Sequence, residues 1–305
     1  MTVVEQYGAL RVIGNELTDK EGTPVQLRGI STSGLQWYPE YVNREFFTQM
    51  VKEWKADIVR LAMYTVEGGY CEMDEEGKKK QKEIIDLGVK LAVELGIYIL
   101  IDWHILHDSN PLIHVEEAKL FWDEISKKYA DCPNVLFEIC NEPNEGCLWP
   151  DIHKYADTIL PIIRKNAKDT IVIVGTPNWS QELDKAVVDP VTGYDNIMYA
   201  LHFYADTHKQ SLRDIFVQAH DMDKLPIFVT EFGAVDAAGN GVTNIDEANV
   251  WLDLLDARKI SYCIWNLSNR DESSAFFKPE VTKVSGFTKD DLRTQALWYL
   301  DRLAK

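Results

Sequence analysis

Eight short apolar runs rich in Val, Ile and aromatic residues recur along the chain, over 25–31, 58–64, 98–104, 135–141, 171–176, 197–204, 226–231 and 261–267. The segments between them, at 44–56, 82–96, 114–130, 151–167, 212–223 and 246–259, and the closing 291–305, carry apolar residues at three- and four-residue spacing. That spacing predicts helices covering a sheet on one side. Strands that are apolar throughout, rather than alternating, predict a parallel sheet buried on both faces, and eight strand-then-helix units predict a (β/α)8 barrel of the α/β class. A doubly wound open sheet would want a glycine-rich phosphate turn after an early strand, and the sequence has none. Upstream, residues 9–27 (ALRVIGNELTDKEGTPVQL) read as a hairpin with a polar turn at Asp19 to Gly22, capping the barrel bottom from within residues 1–24. No linker-like stretch interrupts the 305 residues, so a single catalytic domain is expected over 1–305.

Charge narrows the partners. A formal net charge of −17 repels polyanions at long range, which argues against nucleic acid or an anionic membrane and for a neutral substrate. No apolar run is long enough to span a bilayer. The five cysteines form no CxxC pair and are odd in number; Cys140 and Cys263 fall in apolar runs and read as core thiols, while a Cys71 to Cys147 bridge is left open.

The candidate chemistry lies at the C-terminal ends of the strands, where barrel sites are assembled. Arg60, His104, Asn141 with Glu142, His202 with Tyr204, Glu231 and Trp265 occupy those ends. One Arg or His there would usually be structural. Two carboxylates after buried strands, Glu142 before Pro143 and Glu231 before Gly233, are harder to dismiss, because a buried charge must be given partners. Such a pair across a barrel mouth suits glycoside hydrolysis, one acid protonated and the other ionised. Arg60 by charge and Tyr204 by a donated hydrogen bond are expected to keep Glu231 an anion. Glu142, with no evident cationic neighbour, is expected to hold its proton. Trp37, Tyr64, Trp179 and Trp265 fall at or just past strand ends and read as platforms for the apolar faces of sugar rings, whereas Trp54, Trp122, Trp251 and Trp298 read as helix packing.

With the stretches GLQWY, IDWHIL, NEPN, HFYA, TEFG and DESSA in strand order, the chain resembles glycoside hydrolase family 5, in its bacterial endo-β-1,4-glucanase (cellulase) branch. The resemblance implies a retaining hydrolase with Glu142 as general acid/base, Glu231 as nucleophile, Arg60 orienting the nucleophile, and Asn141 on the sugar 2-hydroxyl. It implies His104 in a subsite, His202 and Tyr204 around the carboxylates, and Trp265 under the reacting ring. Trp37, Trp179, Arg270 and Glu272 are implied to line the non-reducing side. Three positions depart from the family pattern: Ser33 where relatives often carry His, Arg270 where they often carry Lys, and Phe232 where they often carry Trp. The first two lie in the glycone-side subsites that choose the sugar. The same catalytic pair also serves mannanases, xyloglucanases and mixed-linkage glucanases.

Neither cofactor nor metal is required by this reading; a metal hydrolase built on His104, His107, His202 and the acidic groups is the competing enzyme, and a binding barrel without catalysis would lack one glutamate. The expected partner is a β-glucan, and a monomer suffices to act on it. The opening MTVVEQYGALRV is not a signal peptide. A polysaccharide does not cross membranes, so the chain is read as the mature or truncated module of an extracellular, secreted enzyme.

Overall fold

The computed structural model describes residues 1–304. Its strands are β1 (Arg11–Ile13), β2 (Glu16–Thr18), β3 (Arg28–Thr32), β4 (Ile58–Tyr64), β5 (Tyr98–His104), β6 (Val135–Glu138), β7 (Val172–Val174), β8 (Ile197–Tyr204), β9 (Ile227–Gly233) and β10 (Tyr262–Leu267). Strands β3 to β10 pair in sequence order, all parallel, and β10 closes back onto β3. Helices follow the strands and surround them, which makes the expected (β/α)8 barrel.

The apolar runs at 58–64, 98–104 and 197–204 are strands to the residue. Others are shorter or shifted as regular strands: the one in 135–141 ends at Glu138, the one in 171–176 spans Val172–Val174, and 25–31 joins the barrel at Arg28. The chain leaves the sheet where it bends into the mouth, so Asn141 and Glu142 lie past the end of β6 rather than within it. The helix Glu75–Leu95 shows the local logic. Asp74 accepts the Gly77 N–H at 2.8 Å as its cap, and Gly96 ends it at φ +69°, where a β-carbon would strike the Thr2 side chain.

The N-terminal stretch turns twice rather than once. β1 and β2 pair antiparallel around Gly14 and Asn15, with Gly14 at φ +63°. Asp19 to Gly22 forms a second turn, in which the Asp19 carboxylate accepts the N–H groups of Glu21 and Thr23. Antiparallel pairing continues across this turn: Thr18 bridges Pro24, Val25 N–H donates to Leu17 O (2.9 Å) and Asp19 N–H to Thr23 O (2.9 Å), so the expected turn is present and the sequence reading missed the earlier one at Gly14. The capping role holds: Leu10, Leu17, Val25 and Leu27 pack on Tyr98, Leu100, Leu136, Ile173 and Phe228, closing the bottom of the barrel.

Period-two alternation divides the strands. Val59, Leu61, Met63, Ile99, Ile101 and Trp103 face outward into the helix layer, together with Phe121, Trp122 and Trp251. Inward positions are apolar at the bottom and turn polar toward the top: Ile58 then Arg60 on β4, Leu100 then Asp102 and His104 on β5, Leu136 then Glu138 on β6, Ala200 then His202 on β8. On β9 the alternation breaks. Phe228 faces in and Val229 out, yet Phe232 also packs outward, and the pairing register shifts against both β8 and β10 between these residues. A bulge therefore aims the consecutive side chains Thr230 and Glu231 both inward, which a regular strand could not do.

All five cysteines are free, so the Cys71–Cys147 bridge is not formed. Among the described residues no helix is long and apolar enough to cross a membrane.

Candidate active site

Arg60, fully buried, organises the floor of the site. Its Nε donates to Glu138 Oε2 (2.7 Å), Nη1 to Glu231 Oε2 (3.0 Å) and Nη2 to Asn141 Oδ1 (2.6 Å), and Nη2 lies 3.0 Å from Asp102 Oδ2. One guanidinium thus faces three buried carboxylates from β5, β6 and β9. Removing one partner of such a buried network typically costs about 3–5 kcal/mol, so its geometry is firmly held.

Because Asn141 presents its carbonyl to Arg60, its amide nitrogen donates to His104 Nε2 (3.1 Å) and to Ile105 O (3.1 Å). His104 must then carry its proton on Nδ1, which donates to Asp102 Oδ2 at 2.6 Å. Burial and the Arg60 charge push the His104 imidazole down to about 3, so it is neutral. Burial, with the charges of Glu138 and Glu231, pushes Asp102 up against the opposing pull of Arg60.

Above this floor the two glutamates separate electrostatically. Glu142 is pushed up to about 7 by burial and by the Glu231 charge, against the pull of His202 and Arg60. Burial would raise Glu231 too, but the His202 and Arg60 charges and the Tyr204 hydroxyl (2.7 Å to Oε1) outweigh it and hold the carboxyl below its ordinary value. Glu142 does have a basic neighbour, contrary to the sequence reading: His202 Nδ1 is 2.9 Å from its Oε1. That contact is invisible in sequence because the two residues lie 60 positions apart and meet only across the barrel mouth. One oxygen of each glutamate and a His202 nitrogen lie within 4.8 Å of one another.

A cleft of about 570 Å³ opens over the pair, lined by Tyr64, His104, Glu142, Trp179, His202, Tyr204, Glu231, Trp265, Arg270 and Glu272. Of the residues singled out in the sequence, Arg60 and Asn141 lie beneath it, fully buried, and both amide hydrogens of Asn141 are committed to protein acceptors. Ser33 and Trp37 are not among its lining residues. Ser33 is buried, and Trp37 is packed between Tyr64 (centroids 4.7 Å apart) and the Arg270 guanidinium (4.9 Å). Arg270 also pairs with Glu272 at 3.3 Å. Tyr64, His104 and Trp265 form a stacked tier, with centroids 4.0 Å and 5.4 Å apart.

Trp37 and Trp179 cannot line one side together, as the resemblance implied. They follow β3 and β7, four strands apart in an eight-stranded closed barrel, and so stand on opposite rims. Trp179 is 40% exposed on a strained turn in which Asn178, Trp179 and Ser180 all have φ near +55°. The turn is pinned to the 141–143 segment by Trp179 N–H donating to Pro143 O (3.0 Å) and Ser180 Oγ donating to Asn141 O (2.7 Å).

The sequence reading missed Asp102, Glu138 and Thr230. A carboxylate inside an apolar strand was the available signal for the first two, since attention to strand ends alone passes over them. It also missed Asn178, Gln181, His208, Gly239 and the alanines 237 and 238 of the cleft wall, which lie on loops without periodic signal. Of the histidines the competing metal hydrolase would use, His104 has both nitrogens engaged and His107 is exposed beside Glu67, so neither joins His202. Among the described residues, the group close enough to share an ion is the Glu142, His202 and Glu231 trio itself.

Residues 18–271 match the family model described as cellulase (glycosyl hydrolase family 5). The chain belongs to that family. It is 42% identical over 304 residues to endoglucanase A of Butyrivibrio fibrisolvens, covering 99% of this chain and 70% of that one. It is 44% identical over 293 residues to an endoglucanase of Clostridium saccharobutylicum, covering 95% and 64%. The chain thus spans about two thirds of the length of these relatives. Among solved structures, the catalytic domain of Thermobifida fusca endoglucanase Cel5A in complex with cellotetraose superposes with a TM-score of 0.93, at 35% identity and with 100% of both chains covered.

Proposed function

We propose that the chain is a retaining endo-β-1,4-glucanase. The observation that carries this reading is the glutamate pair itself: oxygens within 4.8 Å, one acid pushed up to about 7 and its counterpart held down. Retaining glycosidases place their carboxyl groups about 5–5.5 Å apart and inverting ones about 6.5–9.5 Å, so the spacing favours retention. Glu142 protonates the glycosidic oxygen while Glu231, aligned by Arg60 and Tyr204, attacks the anomeric carbon. A water deprotonated by Glu142 then releases the sugar from the covalent glycosyl-enzyme. Trp265 and Tyr64 support the ring on one side of the scissile bond. Trp179, on the rim beside Glu142, supports the departing sugar, and Arg270 with Glu272 bounds the opposite end.

A β-1,4-glucan is the substrate that the family and the names of its relatives support, and a polymeric substrate supports an extracellular location. The test is a product profile. Carboxymethylcellulose and lichenan are expected to fall rapidly in viscosity and yield a ladder of oligosaccharides, with mannan and xyloglucan cut at least about tenfold more slowly; faster hydrolysis of mannan would contradict the assignment.

A further inference from the structure

Among the described residues, His202 is the side chain hydrogen-bonded to the carboxyl of the proposed acid, and what holds it is a residue with no role in the two displacements. Its Nε2 lies 2.8 Å from Thr230 Oγ1, and that hydroxyl donates its own proton to Glu138 Oε1 at 2.6 Å. Glu138 is ionised, held down at about 2 against the raising effect of burial by Arg60 and by its links to His202. With its hydrogen committed to a carboxylate, the Thr230 oxygen can only accept, so Nε2 must be the donor. Nδ1 is thereby turned on Glu142 Oε1.

We propose that Thr230 is a positioning residue which, by coupling Glu138 to His202, keeps that imidazole protonated on Nε2 and so sets the pH at which Glu142 gives up its proton. The bulge in β9 is what brings it within reach, since without it Thr230 and Glu231 could not both face inward. This inference rests on reading Glu142 as the general acid/base.

The charged and titratable groups facing His202 are Glu138 and Glu142 from the β6 side and Glu231 from β9, with Asp102 and His104 on β5 and Arg60 behind Glu138. Burial lowers the His202 imidazole, but the Glu138 carboxylate 3.7 Å from Nε2, the hydrogen bond to Glu142 and the Glu231 charge outweigh it and raise it to about 9. At neutral pH it is therefore a cation, and a cation beside Glu142 lowers the acid's pKa. Thr230→Val removes the hydroxyl that accepts from Nε2 and links it to Glu138, whose Oε1 is left 3.7 Å away, so the buried imidazolium loses its hydrogen-bond acceptor there and shifts toward the neutral form. Glu142 then loses a neighbouring positive charge and its pKa rises.

The experiment is the pH profile of kcat/KM on cellopentaose for the wild type, Thr230→Val and Thr230→Ser. The basic limb of T230V is expected to move up by about one pH unit, with KM changed less than twofold, while T230S, which keeps the hydroxyl, stays within about 0.3 unit of the wild type. An unmoved limb in T230V, a downward shift, or T230S displaced as far as T230V overturns the proposal. An independent readout on the wild type does not depend on any variant folding. With ¹⁵N-labelled histidine, His202 Nε2 is expected to show a protonated nitrogen from pH 5 to 8, and an unprotonated Nε2 in that range overturns the proposal. A wild type inactive on every β-glucan would instead refute the functional reading, and the nitrogen signal would still decide the inference.

Discussion

Glu231→Ala is expected to leave a folded barrel with essentially no hydrolysis of carboxymethylcellulose, a loss on the order of 10⁵-fold in kcat, because the covalent intermediate cannot form. The fold survives because Arg60 retains Glu138, Asn141 and Asp102 when Glu231 is removed. The Tyr204 hydroxyl loses its acceptor, but it lies at the cleft wall where water can replace the carboxylate. Reducing-end release measured beside a thermal melt distinguishes lost chemistry from lost structure. Sodium azide should restore turnover of an activated aryl cellobioside as the α-azide, the nucleophile entering the space Glu231 vacated. Residual hydrolysis within tenfold of the wild type would mean that another group attacks the sugar.

Glu142→Ala is expected to divide substrates by their leaving group. On cellulose, whose leaving hydroxyl needs a proton, kcat should fall about 10²–10⁴-fold. On a dinitrophenyl cellobioside the first step needs no acid, so a burst of phenol equal to the enzyme present should precede a slow second step that has lost its base. Azide then accelerates that second step and leaves as the β-azide. The asymmetry follows from the site: only Glu142, raised to about 7, holds a proton near neutral pH, whereas Glu231 is kept an anion by the groups around it. Equal losses on the two substrates would contradict the assignment of roles.

Much of this was legible in the sequence, and the reasons are physical. The runs at 58–64, 98–104 and 197–204 declared themselves because a strand buried on both faces needs apolar residues at every position, and the same burial made Arg60, Glu142 and Glu231 conspicuous. The ends of β6 and β7 were set too late because an apolar segment stays apolar past the regular ladder: Ile139 N–H still donates to Ile173 O and Asn141 N–H to Trp103 O while the chain turns into the mouth. The polar turn at Asp19 to Gly22 was read while the earlier turn at Gly14 and Asn15 was passed over, because two turn signals lie close together and the chain pairs across both. The His202 to Glu142 contact, the bulge at Thr230 and the opposed rims of Trp37 and Trp179 are products of closure, which brings together side chains that no local pattern connects.

Closure also explains why one arginine can serve three acids. Asp102, Glu138 and Glu231 come from three strands, and in the unfolded chain none of them is near Arg60. The site is electrostatically consistent only as a whole: the floor fixes Asn141 and Glu231, His202 couples the floor to Glu142, and the cleft above receives the sugar.

The most direct test is the anomeric configuration of the first product, followed by proton NMR in the minutes after wild-type enzyme is mixed with cellopentaose. Two successive displacements by Glu231 and then water predict that the β-anomer of the new reducing end appears first and the α-anomer grows in only by mutarotation. Initial release of the α-anomer would show a single displacement and contradict the account.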